Sequence, residues 1–118
     1  MLTGMIQSVG PTSPAVALTA TADGRGAGLI VDGTSFVTVT TDSADKIITL
    51  PTPTPGTIVW LGTAADSTGF EVRSSAPATV KINGGSGSNA ESGIAATTML
   101  VRFVCVNATN WIGSFWDA

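Results

Sequence analysis

The chain is built from short runs of β-branched and apolar residues that are separated by Gly, Pro, Asn or Asp. No stretch places apolar residues at helical spacing for three turns. Alternation with a period of two is clear at 36–40, where Val37 and Val39 point to one side and their neighbours to the other. Most runs lie about 8–12 residues apart, which is typical of a β-sandwich or barrel. We predict nine strands, at residues 16–21, 28–31, 36–41, 46–50, 57–61, 70–73, 79–82, 99–106 and 111–116.

This pattern predicts an all-β fold, an antiparallel β-sandwich or barrel of the jelly-roll kind. Asp32-Gly33 lies between the second and third predicted strands, and the Gly tolerates the positive φ that a tight hairpin requires. Asn83-Gly84 predicts a second tight turn. Residues 1–14 predict a short N-terminal arm, and residues 15–118 a single β-domain, because compact domains usually contain about 100–150 residues.

The predicted strand at 99–106 is apolar on both faces, so we expect it to be covered on both sides. Arg102 is the exception, since a guanidinium among apolar side chains needs a partner. One face carries Met99, Val101, Phe103 and Cys105, and the other carries Leu100, Arg102, Val104 and Val106.

We expect some of the tryptophans in the core and one at the surface. Trp60 is flanked by Val59 and Leu61, which favours a place in the core. Trp111 and Trp116 have opposite parity in the last strand, so only one of them can face the core. The other is expected either against a neighbouring subunit or exposed as a binding platform.

Composition excludes several classes of function. The 118 residues include five Lys or Arg, eight Asp or Glu, one Cys and no His, with a net charge of −3. A chain without His has no His-activated nucleophile and no His-containing zinc site, and one Cys forms no intrachain disulfide. Five scattered basic residues do not form the positive surface that nucleic-acid binding needs. No apolar run approaches the roughly 20 residues that a membrane span requires, and the first residues lack the pattern of a signal peptide.

No motif for catalysis is present. Neither Lys46 nor Lys81 lies in an S-x-x-K motif, and no Gly-rich segment has the spacing of a phosphate-binding loop. A glycosidase would need two acidic residues that face each other across a cleft, and the sequence fixes no such pair. We therefore expect a protein that is not an enzyme, with no cofactor and no metal.

Residues from 43 onward carry a series of short motifs in a characteristic order: SADKIITLP at 43–51, PGTIVW at 55–60, GFEVR at 69–73, ING at 82–84 and NWI at 110–112. In this order they resemble the small β-domains of tailed-phage virions, which occur in head-decoration proteins and in the terminal domains of head fibres and tail appendages. The resemblance covers about two thirds of the chain. It implies an all-β homotrimer on the outside of a capsid, with no catalytic residues.

The sequence thus predicts a phage capsid decoration (cement) protein, made in the host cytoplasm and bound to the outer capsid surface of the virion. We expect a decoration protein rather than a fibre protein because the sequence has no long helical stalk. A chain of low charge and mean hydropathy +0.38 should also expose apolar surface as a monomer, which favours association. Contact with the major capsid protein is expected from the arm residues Leu2, Met5 and Ile6. The trimer interface is expected at Val101, Arg102, Phe103, Trp111 and Trp116.

The alternative function is a receptor- or carbohydrate-binding tip domain of a phage head fibre or tail fibre. In that case an exposed Trp and the polar loop at 84–93 would bind a host surface glycan.

Overall fold

The computed structural model describes residues 15–63, 68–84, 91–94 and 98–117. These residues form nine β-strands and a single turn of 3₁₀ helix at Gly26–Gly28. The all-β prediction is confirmed. The strands are β1 (Ala15–Thr19), β2 (Phe36–Thr40), β3 (Ile47–Thr49), β4 (Ile58–Thr63), β5 (Phe70–Arg73), β6 (Lys81–Ile82), β7 (Glu91–Ile94), β8 (Thr98–Asn107) and β9 (Asn110–Asp117).

The strands form two sheets, one of six strands in the order β1-β2-β4-β8-β9-β6 and one of three in the order β3-β5-β7. From β2 to β8 the chain changes sheet at every connection. Sheet neighbours such as β2 and β4 are therefore reached by a crossover and run in the same direction, because a crossover connection joins parallel strands. The prediction of an antiparallel sheet is wrong for four of the seven strand pairs described: β1–β2, β2–β4, β3–β5 and β6–β9 are parallel.

The strand predicted at 28–31 does not form. Leu29 makes a single bridge to Thr49, and the Ile30 amide donates to the Thr49 carbonyl at 3.0 Å. This segment therefore lies along the edge of β3. Asp32-Gly33 does form a turn, with Gly33 at φ +92°, but the predicted hairpin is wrong because the residues before the turn bond to the other sheet.

The structure contains one strand that the pattern did not predict, β7. Its residues Glu91, Ser92 and Gly93 are polar or small, and the sequence places them in a loop. Pairing with β5, from Phe70 opposite Ile94 onward, makes this segment a strand. Backbone hydrogen bonds to a neighbour can define an edge strand without an apolar pattern.

The turn at Asn83-Gly84 is confirmed, and both residues have positive φ, 55° and 69°. Positive φ at both residues is typical of a type I′ turn, which Asn-Gly favours. Two hydrogen bonds join the turn to β9. The Gly113 amide donates to Asn83 Oδ1 at 2.9 Å, and the Gly84 amide donates to Asn110 Oδ1 at 3.1 Å.

Both sheets contribute to one hydrophobic core. In the six-stranded sheet the inward rows follow the register, for example Val37 opposite Leu61 and Leu61 opposite Val101. Trp111 is fully buried, which identifies it as the tryptophan of the last strand that faces the core. Cys105 is also buried, and desolvation raises the pKa of its thiol.

Two glycines hold the segment 21–30 against β3. Gly24 has φ +72°, and a Cβ there would meet Thr49 Oγ1 and lie 2.7 Å from Ile47 Cγ2. A Cβ on Gly28 would lie 2.7 Å from the carbonyl oxygen of Ile47. Both distances are shorter than real Cβ contacts, so this close approach requires glycine.

We expect Gly24→Ala to destabilise the fold more than Gly26→Ala, its matched control in the same segment. Gly26 also has positive φ, +59°, but a Cβ there would meet nothing within 4 Å. Gly26→Ala should therefore carry only the backbone cost of about 1–2 kcal/mol. Gly24→Ala should lose a further 1–3 kcal/mol, roughly, from overpacking against β3. Urea denaturation measures both, and equal losses would contradict the close packing at Gly24.

Candidate binding surface on the six-stranded sheet

The side of the six-stranded sheet that faces away from the core is polar at Thr38 and Thr40 of β2 but largely apolar from Phe36 across β4, β8 and β9, and we call this apolar part the outer face. Its side chains follow the register across four strands. Phe36 on β2 is opposite Trp60 on β4, which is opposite Arg102 on β8. A second row places Ile58 opposite Val104. The outer face comprises Phe36, Ile58, Trp60, Leu100, Arg102, Val104, Val106, Ile112 and Ser114.

The exposure of the outer face is unusual for a solvated sheet. The described part of the chain has six exposed large hydrophobic side chains, and four of them lie here. A contiguous apolar area of this kind typically marks an interaction surface. The four are Phe36 at 38%, Ile58 at 44%, Val106 at 49% and Ile112 at 40% exposure.

Arg102 supplies the positive charge of the outer face and packs on a tryptophan. Its guanidinium carbon lies 5.6 Å from the centre of the Trp60 ring, within the range of a cation–π interaction. Both side chains are half-buried. The prediction that Trp60 lies in the core is therefore wrong: its neighbours Val59 and Leu61 fill the core, and strand alternation turns Trp60 outward.

The residues predicted for the trimer interface lie in different parts of the structure, some in the core and one on the outer face. Val101, Phe103 and Trp111 are at most 1% exposed, and they pack in the chain's own core. They have no surface left for a second subunit, because β8 and β9 direct them inward. Arg102 lies on the outer face.

The other predicted contact residues lie outside what the structure describes. Trp116 is paired with Leu100 in the ladder between β8 and β9, but its side chain is outside the described part. The arm residues Leu2, Met5 and Ile6 fall before residue 15, where the description begins.

Sequence reasoning missed most of the outer face. The signal was present in β2 and β4, where Phe36 and Ile58 alternate with the buried Val37 and Val59. In β8 both faces are apolar, so alternation alone does not say which side is the core. Arg102 is the residue that marks the outward side, since an arginine is seldom fully buried.

The structure shows no metal centre among the described residues. None of them form a group of three or more His, Cys, Asp or Glu side chains that could hold a metal ion. Within the same residues there is no helix long and apolar enough to cross a membrane. In comparisons with known proteins, no family model, curated protein or solved structure matches the chain.

Val101→Ala and Val104→Ala test the assignment of the two faces of β8 with the same chemical change. Val101 is 1% exposed in the core, so its truncation should lower the free energy of unfolding by about 1.5–3 kcal/mol. Val104 lies on the outer face, and its truncation should cost less than about 1 kcal/mol in dilute protein. Urea denaturation at low protein concentration measures the free energy of unfolding of both variants. A larger loss for Val104→Ala would reverse the two faces.

Proposed function

We propose that this chain is a structural protein of a tailed-phage virion, a decoration protein that binds the outside of the capsid as a homotrimer. The observation that carries the proposal is the outer face, an exposed apolar surface on a sheet whose other side already fills the core. Such a surface favours burial against another protein. The motifs between residues 43 and 112 resemble phage virion β-domains, and this resemblance is the reason for proposing a phage capsid as the assembly.

In this proposal the two sheets with their common core form a β-sandwich, and three sandwiches meet through their outer faces. A closed ring is the usual outcome when one surface binds copies of the same chain. Arg102 is compatible with such an interface, because arginine and aromatic residues are enriched at protein–protein contacts. Its stacking on Trp60 at 5.6 Å balances part of the cost of removing the charge from water.

The mechanism is binding without a chemical step. A protein that binds only the assembled shell stabilises that state by mass action. When three linked copies bind together, the second and third contacts form at high effective concentration, which multiplies the effect. The arm residues Leu2, Met5 and Ile6 are our candidates for contact with the major capsid protein, since an apolar terminal segment can order upon docking.

The trimer is tested by placing a charge on the outer face. Sedimentation equilibrium of the wild type should give three times the chain mass of 11.8 kDa. Ile58→Asp should shift the protein to monomers, because a carboxylate would be desolvated between the outer faces.

The matched control is Val31→Asp, the same change at a residue that is 62% exposed and lies outside the six-stranded sheet. It should leave the trimer intact. A monomeric wild type, or dissociation by both variants alike, would refute the outer face as the contact between copies.

The capsid location is tested with particles of the source phage. Cryo-electron microscopy should show copies of this chain on the shell at threefold or quasi-threefold positions. A variant with Leu2, Met5 and Ile6 all changed to Ser should remain trimeric but fail to bind shells stripped of the protein.

A control variant with Thr3→Ala and Gln7→Ala changes only polar residues of the same arm and should still bind. Copies found on a fibre or tail, with none on the shell, would replace this proposal by the receptor- or carbohydrate-binding tip domain.

A further inference from the structure

The sequence contains a single Asn-Gly pair, Asn83-Gly84, and it lies in the exposed turn after β6. Asparagine is among the thermolabile residues of proteins, because its side-chain amide can be attacked by the backbone nitrogen of the next residue. Glycine obstructs this attack least, since it has no Cβ. No function discussed above uses this turn.

This reaction, deamidation, needs no co-reactant except water. The Gly84 nitrogen forms a bond to Asn83 Cγ, and its proton leaves with the side-chain nitrogen as ammonia. Water then opens the cyclic succinimide at either of its carbonyl groups, which yields aspartate or isoaspartate at this position. Either product replaces a neutral amide by a carboxylate, and isoaspartate also adds a carbon atom to the main chain.

In the folded chain β9 holds the attacking nitrogen. The Gly84 amide donates to Asn110 Oδ1 at 3.1 Å. To attack, the nitrogen must give up this proton and turn toward Asn83 Cγ, so the hydrogen bond to Asn110 has to break first. A reaction that requires local opening proceeds only from the small population of open molecules.

The side-chain amide that would be attacked is held by β9 as well. The Gly113 amide donates to Asn83 Oδ1 at 2.9 Å, which directs the side-chain carbonyl toward β9. The backbone amide of Asn83 donates to the Trp111 carbonyl at 2.7 Å. Both reacting groups are therefore bonded to β9, and deamidation requires the turn to separate from that strand.

The strand before this turn is the shortest in the described part of the chain. β6 has two residues, Lys81 and Ile82, and it lies at the end of the six-stranded sheet, where its described partner is β9. Elements with few neighbours open at a lower free energy than the central strands of a core. The turn can therefore separate from β9 while the rest of the fold remains intact.

We propose that Asn83 is a site of spontaneous deamidation, which Asn110 and Gly113 close in the folded chain and which opens when the turn separates from β9. Isoaspartate does not fit a turn that needs positive φ at two successive residues, so β6 does not return to its place beside β9. A transient opening of this sheet edge thus becomes permanent. The site goes beyond the decoration role and does not depend on it, because it uses only the contact between β6 and β9.

The proposal is tested by incubating the full chain in mildly alkaline buffer and measuring aspartate and isoaspartate at position 83 by peptide mapping with mass spectrometry. Wild type unfolded in guanidinium chloride gives the rate of the open chain. The folded wild type should react at least about tenfold more slowly, since the hydrogen bonds to Asn110 and Gly113 must open first.

Variants separate the contact with β9 from the overall stability of the fold. Asn110→Ala removes the acceptor of the Gly84 amide and should accelerate deamidation of Asn83 at least about fivefold. Asn107→Ala is the matched control, the same change in the neighbouring turn, where Asn107 Oδ1 accepts from the amide and hydroxyl of Thr109. It should react at the wild-type rate. Asn110→Asp keeps an oxygen acceptor and should retain most of the protection.

A folded wild type that reacts as fast as the unfolded chain would overturn the proposal without any variant. So would an Asn110→Ala protein that reacts no faster than the wild type. Equal acceleration in Asn110→Ala and Asn107→Ala would also overturn it, because the rate would then follow overall stability.

Hydrogen exchange measures the permanence of the opening. The Lys81 and Asn83 amides donate to carbonyls of Thr109 and Trp111 at 2.8 and 2.7 Å in the intact chain. The Lys81 amide should lose its protection in molecules that contain isoaspartate and keep it in those that do not. Retained protection in the isoaspartate form would show that β6 returns to β9 and would refute a permanent opening.

Discussion

Because the chain crosses between its two sheets at each connection from β2 to β8, consecutive strands contribute their inward side chains to a common core from opposite sheets. The result is one core, with Phe70 and Val72 from the smaller sheet and Phe103 and Trp111 from the larger. The other features depend on this arrangement. Segment 21–30 can follow β3 only because Gly24 and Gly28 permit close approach.

The same arrangement determines which surfaces remain for other molecules. With the core filled from inside, the outer face of the six-stranded sheet has no second layer from the described part of this chain, yet it carries Phe36, Ile58 and Ile112. Only 11% of the residues are charged, so few charges are available to keep such a surface in water.

Alternation predicted the strands well where one face is apolar and the other is not, as for Val37 and Val39 in β2. It failed where the local pattern lacked this contrast: β8 is apolar on both sides, and β7 has only polar or small residues before Ile94. Pairing direction could not be predicted either, since the parallel pairs depend on which sheet each connection enters. The outer face likewise depends on the register that places Phe36, Trp60 and Arg102 opposite one another, which no local pattern predicts.

The place of β6 in the larger sheet bears on how the protein folds as it is synthesised. Lys81 and Ile82 pair with Asn110 and Trp111, and the turn after β6 is held by Asn110 and Gly113. This short strand therefore has no neighbour in its sheet until β9 has left the ribosome. Contacts between such distant parts of a chain slow folding, because the intervening loop must be closed first. Nascent chains that still lack β9 carry an unfinished sheet with an open edge, which is the state most exposed to association with the wrong partner.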